Sequence, residues 1–136
     1  MYELFEHTAD VGLRVQAGSF EELLVDAGRG LFSLIVTNLE DVHNVHQRNY
    51  RIHRDEDDFL LFDWLSELLF TFESERLLLA HFQLELQPTS LVATCSGEGV
   101  DFDRHIMDHE VKAITYHRLA VEQNDGQWIA EVVVDI

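Results

Sequence analysis

Two repeat lengths govern the apolar positions of this chain, and an element ends where one gives way to the other. Tyr2 to Glu6 and Val11 to Ala17 read as strands joined through His7-Thr8-Ala9-Asp10. In the second strand Val11, Leu13, Val15 and Ala17 alternate with Gly12, Arg14 and Gln16, so one face is core. Ser19 then opens a capping box with Glu22, whose two side chains can each satisfy an orphan backbone N–H. Phe20, Leu23, Leu24, Ala27, Leu31, Leu34 and Ile35 follow at helical spacing and predict a helix to about Asn38. Gly28 and Gly30 lower its propensity and admit the close approach of another backbone.

Val42 to Arg54 is polar for a strand, with Val45, Tyr50 and Ile52 set among His43, His46, Arg48, Arg51 and His53, and is expected at an exposed edge. Asp55 to Asp58 places negative charge at the entrance of a second helix, where the macrodipole favours it. Leu61, Trp64, Leu65, Leu68, Leu69 and Phe72 form its stripe, widened by Leu60, Phe62 and Phe70 until it is expected to be the most buried helix. From Leu77 to Leu86 the period returns to two, Pro88-Thr89-Ser90 makes a turn, and Leu91 to Ser96 comes back as a partner strand. Two last strands are expected at Ala113 to Glu122 and Trp128 to Asp135, joined by Asn124-Asp125-Gly126, residues suited to the positive φ of a tight hairpin. The order predicts an α+β fold in a single domain, residues 1–136, with two long helices on a mainly antiparallel sheet.

Composition narrows the function classes. Nine Lys and Arg stand against 26 Asp and Glu, a net charge of -17, with the acids spread along the chain. Nucleic-acid readers carry a basic footprint, so direct binding to nucleic acid is not expected, and cations or a basic protein surface are the natural partners. Cys95 stands alone, which fits a reducing compartment. Met1 to Asp10 carries acids where a secretory signal needs a basic start, and Phe59 to Phe72 is broken by Asp63, Ser66 and Glu67, so no membrane association and a cytoplasmic location are expected.

Candidate chemistry starts at the two ends. If the first and last strands lie side by side, Asp10, Asp135 and the terminal carboxylate of Ile136 converge as hard oxygen ligands for a divalent cation. On spacing alone the plainer account, a turn-capping Asp10 and a solvated chain end, is preferred. Asp101-Phe102-Asp103 begins like a calcium loop, but Ile106 stands where the sharp turn needs Gly and Lys112 where a bidentate Glu is required. His105 and His109, with acids around them, offer a transition-metal site, although a polar loop explains the same residues. Cys95 in an apolar strand is expected to be a small core residue. The chain has no Gly-rich phosphate loop, nucleophile elbow or CxxC pair, and nothing in it demands an enzyme.

Lys112, the chain's one lysine, opens Lys112-Ala113-Ile114-Thr115-Tyr116. With His7-Thr8-Ala9-Asp10-Val11-Gly12, with Leu60-Leu61-Phe62-Asp63-Trp64-Leu65-Ser66-Glu67-Leu68 and with Asp135-Ile136, this segment closely resembles the archease family, over essentially the whole chain and in order. Ser66 stands where the family usually has Asn, and Phe62 where it has an aliphatic residue.

The resemblance implies a strand-helix-strand-strand module nested within a second copy. It also implies a role: a non-catalytic protein cofactor of the tRNA-splicing RNA ligase, which joins a 3'-phosphate or cyclic phosphate end to a 5'-hydroxyl. The cofactor promotes guanylylation of the ligase's active-site His by GTP and supports its multiple turnover. It further implies a divalent cation, calcium with magnesium or manganese as alternatives, held by Asp10, Asp135 and Ile136, and a part for Lys112 in activation. Read without the resemblance, the same groups also fit a metal-dependent hydrolase with Asp10 and Asp135 as ligands and Lys112 or His117 moving the proton. A structural metal-binding or chaperone module fits them too.

Overall fold

The computed structural model describes residues 1–6 and 9–136, so His7 and Thr8 of the expected first turn lie outside the described residues. Strands β1 (Tyr2–Glu6) and β2 (Asp10–Ala17) pair antiparallel, Tyr2 opposite Val15 and Glu6 opposite Val11. The alternation expected of β2 holds, with Val11, Leu13, Val15 and Ala17 all buried. Helix α1 (Phe20–Ile35) starts where expected: the Ser19 hydroxyl accepts from the Glu22 N–H at 3.1 Å, satisfying one of the orphan donors of the first turn. It ends three residues short of Asn38. The neighbours of Gly28 and Gly30 are side chains, those of Leu68 and Phe82 at Gly28 and of Leu13 and Tyr2 at Gly30, and not the backbone that was expected.

After a single 3-10 turn at Leu39–Asp41 come β3 (His46–His53), α2 (Asp57–Glu75), β4 (Leu77–Leu86) and β5 (Ser90–Gly99). These three strands form their own antiparallel sheet in the order β3-β5-β4, which places β3 at an edge as its polar pattern required. The remaining strands, β6 (Ala113–Ile114), β7 (Ala120–Asn124) and β8 (Gln127–Asp135), return to β1 and β2 in a five-stranded sheet. The small sheet and α2 are thus inserted whole between α1 and β6, the nested strand-helix-strand-strand order.

One apolar core joins the layers. Helix α1 touches β1, β2, β4 and β8, while α2 touches β3, β4, β6 and β7. The indole N–H of the buried Trp64 on α2 donates to the Leu24 carbonyl on α1 at 2.8 Å, which ties the helices together and leaves no buried donor unsatisfied there.

Two expectations are corrected. Helix α2 is not the more buried helix: it buries eight of its nineteen residues, against ten of sixteen in α1. Its predicted stripe is inside, but Phe59, Asp63, Glu67 and Phe70 face solvent. Nor is Ala113 to Glu122 one strand. Ile114 lies opposite Val134 and Ala120 opposite Glu131, so six steps on one side match three on β8 and three residues are looped out. Arg118 takes φ 55° in that loop, closed by a Leu119 N–H to Tyr116 carbonyl bond of 3.2 Å. The β7–β8 hairpin turns as expected, Asp125 and Gly126 both at positive φ (52° and 77°).

Candidate functional site

In the five-stranded sheet the start of β2 and the end of β8 finish together. β2 and β8 pair over their whole length, and the last pair of the ladder is Asp10 opposite Asp135. On the other edge of β8, Asp135 is also the partner of Ala113. Asp135 therefore sits in the middle of a three-strand row, with Asp10 on one side and the first residue of β6 on the other. Directly opposed residues project to the same face with Cα atoms about 5 Å apart, and like charges in that arrangement repel.

Backbone hydrogen bonds fix the surroundings of this row. The Lys112 N–H donates to the Asp135 carbonyl at 2.8 Å, and the Ile136 N–H reaches the Ala9 carbonyl at 3.4 Å. Thr115 grips β8 twice, its N–H at 3.0 Å and its hydroxyl at 2.8 Å from the Val133 carbonyl. Asp10, Asp135, Ile136 and Lys112 are thus brought to one end of one sheet, and the Lys112 ammonium has no ion-pair partner among the described residues.

Asp10 carries the unusual feature. Its Oδ1 is buried and has no hydrogen-bond partner among the described residues, whereas Asp135 is exposed and Ile136 half-buried. A buried polar atom without a partner costs on the order of 1 to 3 kcal/mol, and such atoms are rare in folded proteins. A cation is a chemically suitable partner for it, since hard carboxylate oxygens are the ligands calcium and magnesium take. The residues present fit such an ion. The side-chain donor set is nevertheless small: among the described residues no group of three or more His, Cys, Asp or Glu stands together as a metal site.

In the candidate His105 and His109 pair, both ring nitrogens of His105 are in contact with protein groups. His105 is buried, and its Nδ1 accepts from the Asp101 N–H at 2.9 Å. Its Nε2 lies 3.3 Å from Glu98 Oε2. His109 pairs instead with Asp108, at 3.9 Å. Glu98, which the sequence reading did not single out, is the centre of this cluster. It also accepts from the His43 N–H at 2.6 Å and from the Arg104 guanidinium. Burial alone would raise its carboxyl, but the His43 N–H, Arg104 and His105 outweigh it and hold it at about 2. Its partner His43 is 55 residues away in sequence, and no periodic signal announces a contact of that range.

This cluster anchors the irregular segment 100–112 that delivers Lys112 to β8. The same segment is pinned to the end of α1 by the Asp108 N–H on the Ile35 carbonyl and the His109 N–H on the Leu34 carbonyl, both at 2.9 Å. Cys95 is a core residue as expected: it is fully buried, and burial pushes its thiol up to about 12. A thiol so held is not a nucleophile at neutral pH. No helix among the described residues is long and apolar enough to cross a membrane.

The fold and the sequence are similar to those of known proteins. The solution structure of Methanobacterium thermoautotrophicum protein 1598 superposes with a TM-score of 0.88 at 29% identity, covering 99% of this chain and 98% of that one. Protein archease of Methanopyrus kandleri is 40% identical over 139 residues, 99% of this chain and 99% of its own length. The Pyrococcus abyssi protein archease is 36% identical over 140 residues, covering 99% and 98%. With the Archease protein family matching residues 2–136 as well, the chain belongs to that family.

Proposed function

We propose that this protein is a non-catalytic activator of the tRNA-splicing RNA ligase, working as one domain over residues 1–136 in the cytoplasm. It promotes guanylylation of the ligase by GTP and sustains multiple turnover. The observation that carries the reading is the end of the β2–β8 ladder: two carboxylates directly opposed, one with a buried oxygen that no described residue satisfies, and the Lys112 backbone bonded to the second.

Asp10, Asp135 and the Ile136 carboxylate are the residues that hold the divalent cation, calcium in the first instance. When bound, the ion supplies positive charge where the carboxylates would otherwise repel and a Lewis-acidic centre able to bind phosphate oxygens. The chain's own residues do the rest. Thr115 and the Lys112 N–H lock β6 onto β8, and the Lys112 ammonium, without an ion-pair partner among the described residues, is a cation able to meet a phosphate or a carboxylate of the partner. A net charge of -17 steers the molecule toward a ligase whose RNA-binding groove is basic, and disfavours direct contact with RNA.

The test is a guanylylation assay with the ligase and GTP, with and without this protein, run beside an incubation of this protein alone with phosphoesters. Faster ligase guanylylation and no phosphoester turnover is the expected result. Hydrolysis in the absence of ligase would replace the reading by that of a metal-dependent hydrolase.

A further inference from the structure

Helix α2 presents an outer face that the core does not use. Phe59, Asp63, Ser66 and Phe70 follow one another at intervals of three and four residues, which puts them in one row along the helix, with Glu67 beside it. Phe59 is 49% and Phe70 64% exposed, unusual for aromatic side chains on a helix whose opposite side is buried. The carboxylates of Asp63 and Glu67 are exposed, and among the described residues neither has an ion-pair or hydrogen-bond partner. Between this row and the edge strand β3 lies a cleft of about 490 Å³, walled by Asp63, Ser66, Glu67 and Phe70 on one side and by Arg51 and His53 on the other.

The row does not stop at the helix. Tyr116, 61% exposed on the loop extruded between β6 and β7, stacks on Phe62 with centroids 3.9 Å apart and meets Phe59 edge-on at 6.1 Å. Tyr116 lies four residues beyond Lys112. An aromatic and acidic surface therefore runs unbroken from the Lys112 segment across Tyr116 and Phe59 to Phe70, about 16 Å along α2 by its rise per residue.

We infer that the Tyr116–Phe59–Phe70 row with Asp63 and Glu67 is the surface on which the partner ligase docks, and that it takes an arginine-bearing basic segment of that protein. This rests on the activator reading and adds to it the place of contact and its chemistry. Guanidinium groups stack on aromatic faces and fork onto carboxylates, and the row offers both in alternation. The two free carboxylates outnumber the one cation of the cleft, Arg51, which is already bonded to the Ser90 hydroxyl at 3.3 Å. A second copy of this chain does not fit, because at -17 it would bring acid to acid. Docking here leaves the end of the β2–β8 ladder beside the interface and open to the ligase.

The experiment measures direct binding of purified ligase to this protein and, separately, the concentration of this protein needed for half-maximal guanylylation. Asp63→Lys and Phe70→Ala are compared with Phe70→Trp, which keeps an aromatic face, and melting curves establish that each variant is folded. The expected result is a Kd raised at least about tenfold in the first two, and a matching shift in half-maximal concentration with the maximal rate unchanged. Binding of Phe70→Trp should stay close to that of the parent, and parent binding should weaken with added salt. If folded Asp63→Lys and Phe70→Ala bind the ligase as the parent does, the docking surface is elsewhere and the activator reading stands. If the parent binds ligase through this row without stimulating guanylylation, the activator reading falls and the surface remains. Binding of single-stranded RNA by the row, with no binding of ligase, overturns the inference.

Discussion

Asp10 and Asp135 are direct partners across the β2–β8 ladder, and the buried Asp10 Oδ1 has no hydrogen-bond partner among the described residues. In the absence of an ion this pair is a local liability, because opposed like charges on one sheet face repel. Asp10→Ala removes both the repulsion and the unsatisfied atom. We expect it to keep the circular dichroism spectrum of the parent and, in the presence of a chelator, to melt no lower, while activation of the ligase is abolished. A variant that loses its native spectrum would make Asp10 a structural residue.

Lys112 is attached to the site by its backbone, since its N–H and not its side chain donates to Asp135. Lys112→Met preserves that bond and the aliphatic stem but removes the charge. Ligase guanylylation should fall at least about tenfold while the calcium-induced rise in melting temperature is kept. An unchanged guanylylation rate would remove the ammonium from the mechanism.

Glu98 gives the segment leading to Lys112 its anchor, and its titration predicts how stability depends on pH. Its folded carboxyl stands at about 2 against an ordinary 4.5, so its contribution is fully present above about 4.5 and is lost as pH falls toward 2. Replacement by Gln should destabilise at neutral pH by on the order of 1 to 3 kcal/mol, since Arg104 and the buried His105 lose a charged acceptor. That corresponds to a melting temperature roughly 3 to 10 °C lower. The gap between parent and variant should narrow steadily on acidification below about pH 4.5. A gap that is constant from pH 7 to pH 3 would show that the charge of Glu98 is not what matters.

What could be read from the sequence was what local chemistry decides. The alternation of β2, the Ser19 cap and the Asn124 to Gly126 hairpin each depend on a few neighbouring residues, and each formed where expected. The convergence of Asp10 and Asp135 followed from two strand ends carrying acids, once the strands were assumed to pair. The loop after Ile114 was invisible because Arg118 takes its positive φ without a Gly or Pro to signal a turn. The burial of α2 was misjudged for a related reason: Phe62 and Phe70 count as apolar wherever they point, and sequence does not tell which face of a greasy helix meets a sheet. Glu98 was missed because its contact with His43 is made by the tertiary fold, and that with Arg104, six residues on, by an irregular loop that carries no periodic signal.

The end of the chain offers the sharpest separation between a metal site and a solvated terminus. The Ile136 N–H bonds to the Ala9 carbonyl, so the carboxylate that follows is held next to the residue preceding Asp10. Extending the chain converts that carboxylate to a neutral amide and places bulk where the cation should sit. An ion that binds only the folded protein stabilises it by RT ln(1 + [L]/Kd), about 2.7 kcal/mol at a hundredfold excess over Kd. For a chain of this length that is a rise in melting temperature of about 5 to 15 °C. We therefore expect calcium to raise the melting temperature of the untagged protein by an amount of that order. A short Gly-Ser tail after Ile136 should shrink the rise and impair ligase activation, whereas a tag of equal length at the N-terminus should do neither. Equal calcium responses with and without the tail would exclude the Ile136 carboxylate as a ligand, and the partner of Asp10 Oδ1 would then have to be sought among other acids.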